Sequence, residues 1–240
     1  MNHQKIWDQL QSDDSIDAFG AALPRYKFLC DRIPSGVTAL NIGVGHGGLE
    51  ALLIKKGVEV SCLDPSETAI SRIREKLQLG HRAKVGFSQA MPFNNDSFDA
   101  IFMTEVLEHL ENDALDQTLK EVFRTLKPGG KFIGTVPANE NLLDNHAICP
   151  HCGESFHRWG HVQSFTPADL LQQLKKHTLL IEKCDTRAFP DWTRMGIKNL
   201  VKNCARYVLG RSGETIAVPH IFFIAKKPVK NIQLSKPKMP

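Results

Sequence analysis

The chain predicts an α/β fold, a sheet with helices on both faces. Three observations carry this. The stretch Val37–Asp64 reads as an apolar run, a glycine turn, a helix-length segment and a second apolar run ending in a carboxylate. Apolar segments then alternate with segments of helical periodicity through most of the chain. Strand and helix in alternation pack as helices on either side of one sheet.

The elements follow in order. Ile6 to Asp31 reads as helix. Val37, Ala39, Leu40 and Ile42 form a strand that enters Gly43, Gly45, Gly47 and Gly48, where missing side chains permit left-handed backbone and close approach of main chain to a ligand. Val58, Val60 and Leu63 mark the second strand. Ser66 to Leu79 places Ile70, Ile73 and Leu77 on one helical face, and Lys84 to Ser88 is a short strand. Phe98 to Met103 is a buried strand. Asp113 to Leu126 carries Leu115, Leu119, Val122 and Phe123 at helical spacing, and Pro128-Gly129-Gly130 is expected to stop that helix. Lys131 to Val136 is another buried strand. Thr166-Pro167-Ala168-Asp169 opens a helix with a cap, a first-turn proline and an acid. Leu179 to Cys184 and His220 to Ala225 complete the strands. Residues 1–228 read as one domain, with insertions at 138–163 and 190–213. Residues 229–240, rich in Lys and Pro, read as a disordered basic tail.

Composition narrows the class. A length of 240 residues suits one sizeable core. No apolar run reaches membrane-spanning length, and the N-terminal MNHQKIWDQLQSDDS has no secretory pattern. Six cysteines with only one close pair do not form a disulfide framework, so a cytoplasmic location is expected. A formal net charge of +4 permits an anionic partner without demanding one.

The glycine turn with Asp64 about twenty residues on reads as a nucleoside-cofactor site, the acid placed for ribose hydroxyls. Taken alone it fits either NAD or S-adenosylmethionine. Further along stand Ser97-Phe98-Asp99, Glu105-Val106-Leu107-Glu108-His109 and Leu126-Lys127-Pro128-Gly129-Gly130. This ordered set resembles the class I S-adenosylmethionine-dependent methyltransferases over Trp7 to Pro228. The resemblance implies a Rossmann-like, seven-stranded, mostly parallel sheet whose last strand is antiparallel. It implies S-adenosylmethionine as cofactor, with Gly43, Gly45 and Gly47 facing its methionine part and Asp64 and Pro65 at the ribose. Gln89, Ala90 and Met91 would meet the adenine, with core filling an equal reading of Met91, and Thr104 and Glu105 close the strand end. Asn41 stands where the family usually has an acid, so charge for the cofactor's ammonium is missing there.

The reaction implied is methyl transfer to a small-molecule acceptor, acidic or lipid-linked. The sulfonium methyl is already electrophilic, so positioning supplies much of the rate and a base serves only an acceptor that must lose a proton. His109 and His161 are the candidate bases, His109 having a purely structural reading beside it. An RNA methyltransferase and a non-catalytic cofactor-binding protein are the alternatives. RNA is disfavoured by the slight basic excess and the lack of an interleaved aromatic–basic platform.

Two features lie outside the alternation. Cys149-Pro150-His151-Cys152 followed by His157 and His161 has the count and ligand types of a structural zinc site. His161 is contested between metal and acceptor; if it serves the acceptor, His146 or His151 is the alternative fourth ligand or no metal binds, and the plain reading is a loop with small semi-buried cysteines. In the second insertion Arg194, Lys198, Lys202 and Arg206 recur every fourth residue, with Ile197, Leu200, Val201, Cys204 and Val208 on another face. This reads as a basic amphipathic helix, either packed on the sheet or in peripheral contact with a membrane.

Overall fold

The structure is a computed structural model and describes residues 22–192, 196–212 and 219–229. Helix α1 (Leu23–Cys30) is followed by β1 (Thr38–Ile42), α2 (Gly48–Lys55), β2 (Glu59–Asp64), α3 (Glu67–Lys76), β3 (Ala83–Val85) and β4 (Phe98–Thr104). Then come α4 (Asn112–Thr125), β5 (Leu126–Pro137), β6 (His146–Ile148), β7 (Ser155–His157), α5 (Pro167–Lys176), β8 (Leu180–Arg187), α6 (Ile197–Ser212) and β9 (His220–Lys226).

Seven strands form one sheet in the order β3-β2-β1-β4-β5-β9-β8. The strands from β1 to β5 pair in parallel, whereas β9 runs antiparallel to both β5 and β8. Alternation along each strand divides the core. Leu40, Ile101, Met103, Phe132 and Phe223 point to one face, where α4 (Leu115, Leu119, Val122) and α5 (Leu170, Leu174) cover them. Ala39, Phe102, Ile133 and Phe222 point to the other, against Leu29 of α1 and Leu49 and Leu53 of α2. The fold expectation is therefore met.

Several boundaries move for identifiable reasons. The helix expected over Ser66–Leu79 spans Glu67–Lys76, with Ser66 as N-cap accepting from the Ala69 amide at 3.3 Å, and Gln78 at φ 53° lies beyond its end. The strand expected at Lys84–Ser88 shortens to Ala83–Val85. Pro128-Gly129-Gly130 does not end the preceding helix, which stops at Thr125 with Leu126 already extended. These residues instead form a bulge in β5, since Phe98 pairs with Leu126 and Ala100 with Lys131. A side chain at Gly130 would bring a Cβ within 2.8 Å of the Lys127 carbonyl oxygen, so the bulge requires glycine. Of the helix expected over Ile6–Asp31, residues 1–21 lie outside the described residues, as do Arg194 and residues 230–240 of the expected tail. No helix among the described residues is long and apolar enough to cross a membrane.

Candidate active site

The carboxyl ends of β1, β2 and β4 border a cavity of about 830 Å³, within the ordinary size of a ligand pocket. Its first half is built from main chain. Gly43 (φ 83°) leaves β1 and donates its amide to the Leu63 carbonyl at 3.0 Å. A Cβ at Gly43 would sit 2.6 Å from Val106 Cγ2, so the turn and the β4 loop approach as only glycine allows. Gly43 and Gly45 line the cavity. Gly47 (φ 79°) does not; it is the N-cap of α2 and packs against Ile73.

Asp64, buried at the tip of β2, spans this turn. Its Oδ2 accepts from the Val44 amide at 3.0 Å and its Oδ1 from the Ser66 amide at 2.9 Å. It therefore ties the glycine loop to α3, while Ser66 does the capping. Asp64 and Pro65 both line the cavity.

Asn41 does not line it. Its side chain is buried and donates to Glu50 Oε1 at 2.7 Å and to the Gly43 carbonyl at 3.2 Å. Burial pushes the Glu50 carboxyl up to about 7, with the Asn41 hydrogen bond opposing. The acid missing from β1 has a buried counterpart on α2, which the sequence reading overlooked.

Thr104 and Glu105 close the floor. Glu105 adopts φ 55°, donates its amide to the Thr135 carbonyl at 2.9 Å and accepts from Thr135 Oγ1 at 2.8 Å. Arg25 Nη1 lies 3.4 Å and His220 Nε2 3.2 Å from its carboxylate oxygens. Burial alone would raise this carboxyl, but Arg25 and His220 hold it well below the usual range, so Glu105 is ionised. On the β3 side Phe87, Ser88 and Gln89 line the cavity. Ala90 does not, contrary to expectation, and Met91 takes the core-filling place weighed beside the adenine. The segment turns where the Ala90 amide donates to Phe87 O at 3.1 Å, which sends Met91 into the core beneath α4.

The second half is built from side chains. Glu108 and His109 occupy a short 3₁₀ turn, Leu107–His109, after β4. The Glu108 carbonyl accepts the amides of Val162 at 2.9 Å and Gln163 at 3.1 Å, fastening the first insertion to the cavity wall. Burial, with Glu105 adding to it, raises the Glu108 carboxyl well above the usual range. His109 donates from Nδ1 to the Gly160 carbonyl at 3.1 Å, which is the structural role weighed for it. Burial and the neighbouring His161 lower its pKa to about 4, so the ring is neutral.

His161 lies between two carboxyl groups. Its Nδ1 is 2.5 Å from Glu140 Oε2, and its Nε2 is 4.0 Å from Glu108 Oε1. Burial opposes ionisation of Glu140, but His161 and His157 outweigh it and hold its pKa below the usual range. An ionised carboxylate only accepts, so His161 donates to it from Nδ1 and turns Nε2 toward Glu108. His157 stacks on His161 with ring centroids 4.6 Å apart. The Trp159 and His161 amides donate to its Nδ1 at 3.3 and 3.1 Å, placing its proton on Nε2, 3.4 Å from Glu140 Oε1. Asn145 completes the cradle by donating to Glu140 at 2.9 Å. Sequence reasoning missed Glu140, Arg25, Phe87, Trp159 and His220, all of which line the cavity.

The structure does not gather the expected metal ligands. Cys149 and Cys152 occupy the tip of the β6–β7 hairpin, where the Cys149 amide donates to the Glu154 carbonyl at 2.9 Å. Glu154 precedes His157 by three residues, roughly 10 Å along a strand. Amides of Cys152 and His151 on the Cys149 sulfur lower its thiol pKa. Among the described residues, the metal-capable groups that converge are Glu108 with His109 and His161, and Glu140 with His157 and His161, without a cysteine. The tautomer of His157 suits a hydrogen-bonded network, since a ring protonated on Nε2 has no lone pair there for a metal.

A family model described as a methyltransferase domain matches residues 40–134. The chain is 30% identical over 128 residues to a sarcosine/dimethylglycine N-methyltransferase of Aphanothece halophytica, covering 50% of this chain and 46% of that protein. It is 29% identical over 172 residues to a 2-methyl-6-phytyl-1,4-hydroquinone methyltransferase of Synechocystis sp., covering 68% of this chain and 52% of the other. The chain spans less than half the length of the first curated relatives it matches. A chain from the complex of the Haloferax volcanii Trm112 methyltransferase activator with a methyltransferase superposes with a TM-score of 0.66 at 20% identity, covering 92% of this chain and 97% of that one, which shows a shared fold.

Proposed function

We propose that the chain is a class I S-adenosylmethionine-dependent methyltransferase that methylates a small-molecule acceptor with His161 as general base. The observation that carries this is the Glu140–His161 pair, 2.5 Å apart on the wall of the cavity that the glycine turn opens. S-adenosylmethionine supplies an electrophilic methyl group when bound. Asp64 is the residue to hold its ribose and Gln89 its adenine, with Phe87 offering an aromatic face. The main chain of Gly43 and Gly45 admits its methionine part. Ionised Glu105 provides the negative charge that Asn41 lacks.

The base fits an acceptor hydroxyl. As the oxygen takes the methyl group, its proton passes to His161 Nε2, and the imidazolium formed is held by Glu140. Neutral His109 and raised Glu108 keep competing charge out of that corner. Arg206 lines the cavity from α6, which supports an acceptor bearing negative charge. The two named relatives act on unlike substrates, an amino acid and a prenylated hydroquinone, so neither transfers to this chain.

The test is incubation of the pure protein with methyl-labelled S-adenosylmethionine and a cell extract. Label in a small organic fraction, lost in His161→Ala, is expected. Label confined to RNA, or cofactor binding without turnover on any fraction, overturns the proposal.

A further inference from the structure

Helix α6 is mounted with its apolar face outward. Asn203, Arg206 and Gly210 form the side turned to the domain. Asn203 donates to the Asp191 carbonyl at 2.6 Å, Arg206 reaches the cavity, and a Cβ at Gly210 would lie 2.4 Å from the Ala188 nitrogen. Residues two apart on a helix point about 200° away from each other. Val201 and Val208 each stand two positions from a docking residue, so they face away from the domain. Ile197 is 82% exposed, Val208 66%, Val201 63% and Leu200 55%. Exposed Cys204 continues the stripe, and Trp192, packed edge-on to Tyr207, stands exposed beside it. A helix that merely covers a sheet turns such a stripe inward.

The charge on the helix names the partner. From Gly196 to Ser212 it carries Lys198, Lys202, Arg206 and Arg211 and no carboxylate. A second copy of the chain would bring the same cations against these and repel. An anionic lipid surface accepts both features, with apolar side chains entering the acyl boundary and lysines meeting head groups. We infer that α6 docks the protein on an anionic membrane surface, with the cavity mouth beside the lipid. This stands independently of which acceptor is methylated, because it rests on the outer face of α6 and not on the chemistry within.

The experiment is flotation of the full chain with vesicles of phosphatidylcholine alone and of phosphatidylcholine with one-third phosphatidylglycerol. Wild type should float with the anionic vesicles, at least tenfold more than with neutral ones, and the difference should shrink in high salt. Val201→Asp/Val208→Asp and Lys198→Glu/Lys202→Glu should each cut flotation at least tenfold. Both change exposed side chains, so cofactor affinity and melting temperature should hold. Wild type that stays soluble with anionic vesicles overturns the inference, as does charge reversal without effect. A concentration-dependent dimer that Val201→Asp/Val208→Asp dissolves, without vesicle binding, assigns the face to a second copy instead.

Discussion

The two halves of the cavity are built on different principles. The half around Gly43 and Asp64 is backbone geometry, in which strand ends and left-handed glycines set the shape and one carboxylate pins two amides. The half around His161 is side-chain chemistry, where three imidazoles and two carboxyl groups meet on a turn and an insertion. The family model covers residues 40–134, which hold the first half together with Glu108 and His109 of the second, while Glu140, His157 and His161 lie outside it. A common cofactor requires a common cradle; the acceptor is met by parts of the chain free to differ.

The sharpest way to break this division is at His161. His161→Ala should lower kcat about 10²–10⁴-fold, the span of a lost general base, and leave cofactor affinity within about twofold by calorimetry. Glu140→Gln should give a smaller loss, because it removes the carboxylate that orients the ring, and Glu140→Asp should restore part of it. Equal weakening of cofactor binding in His161→Ala would join the halves and defeat the scheme.

Glu50 tests the backbone half through stability. Its folded-state pKa of about 7 exceeds the ordinary 4.5, so the neutral form is the one the fold favours. The cost of ionising it is absent below about pH 4.5, grows as pH rises, and is complete above about 7, where it reaches roughly 3 kcal/mol. Glu50→Gln keeps an acceptor for Asn41 and should match wild type in denaturant melts near pH 4. By pH 8 it should be more stable by up to that amount. A difference that does not vary with pH would mean that burial leaves the Glu50 pKa at its unfolded value.

Asp64→Ala should weaken S-adenosylmethionine by about 1–3 kcal/mol, since the Val44 and Ser66 amides lose their acceptor and the ribose loses its partner. The acceptor Michaelis constant at saturating cofactor should stay put. A shift of that constant alone would place Asp64 in the wrong half.

What the sequence shows of each half follows the same division. The strand–glycine–helix unit is local, so Gly43, Gly45, Asp64 and Pro65 could be read directly, and strand alternation foretold the two-faced core. Glu140 meets His161 across 21 residues, and Arg25 meets His220 across 195, and no periodicity records such meetings. Ala90 turns away from the cavity, and Met91 settles in the core instead of on the adenine, because one turn at Phe87–Ala90 reverses which side chains face the cavity. Glu50 was hidden because a glutamate in a helix is ordinary until packing buries it. Spacing gave the right types for a zinc site, but the β6–β7 pairing, with His146 opposite His157, puts these two histidines at the end of the hairpin away from Cys149 and Cys152.

The cysteine pair carries the smallest expected effect. Cys149, Cys152 and His151 share the hairpin tip, apart from His157 and His161, and among the described residues they do not converge on one point as a tetrahedral site requires. Protein purified without chelator should then hold well under one zinc per chain by elemental analysis. Cys149→Ser/Cys152→Ser should change stability by no more than about 0.5 kcal/mol, as surface substitutions do, and leave kcat unaltered. One tightly held zinc per chain, lost in this variant together with the Glu140–His161 chemistry, would show that the hairpin closes onto the histidines in solution. The acceptor half would then be organised by a metal, and its division from the hairpin tip would fall.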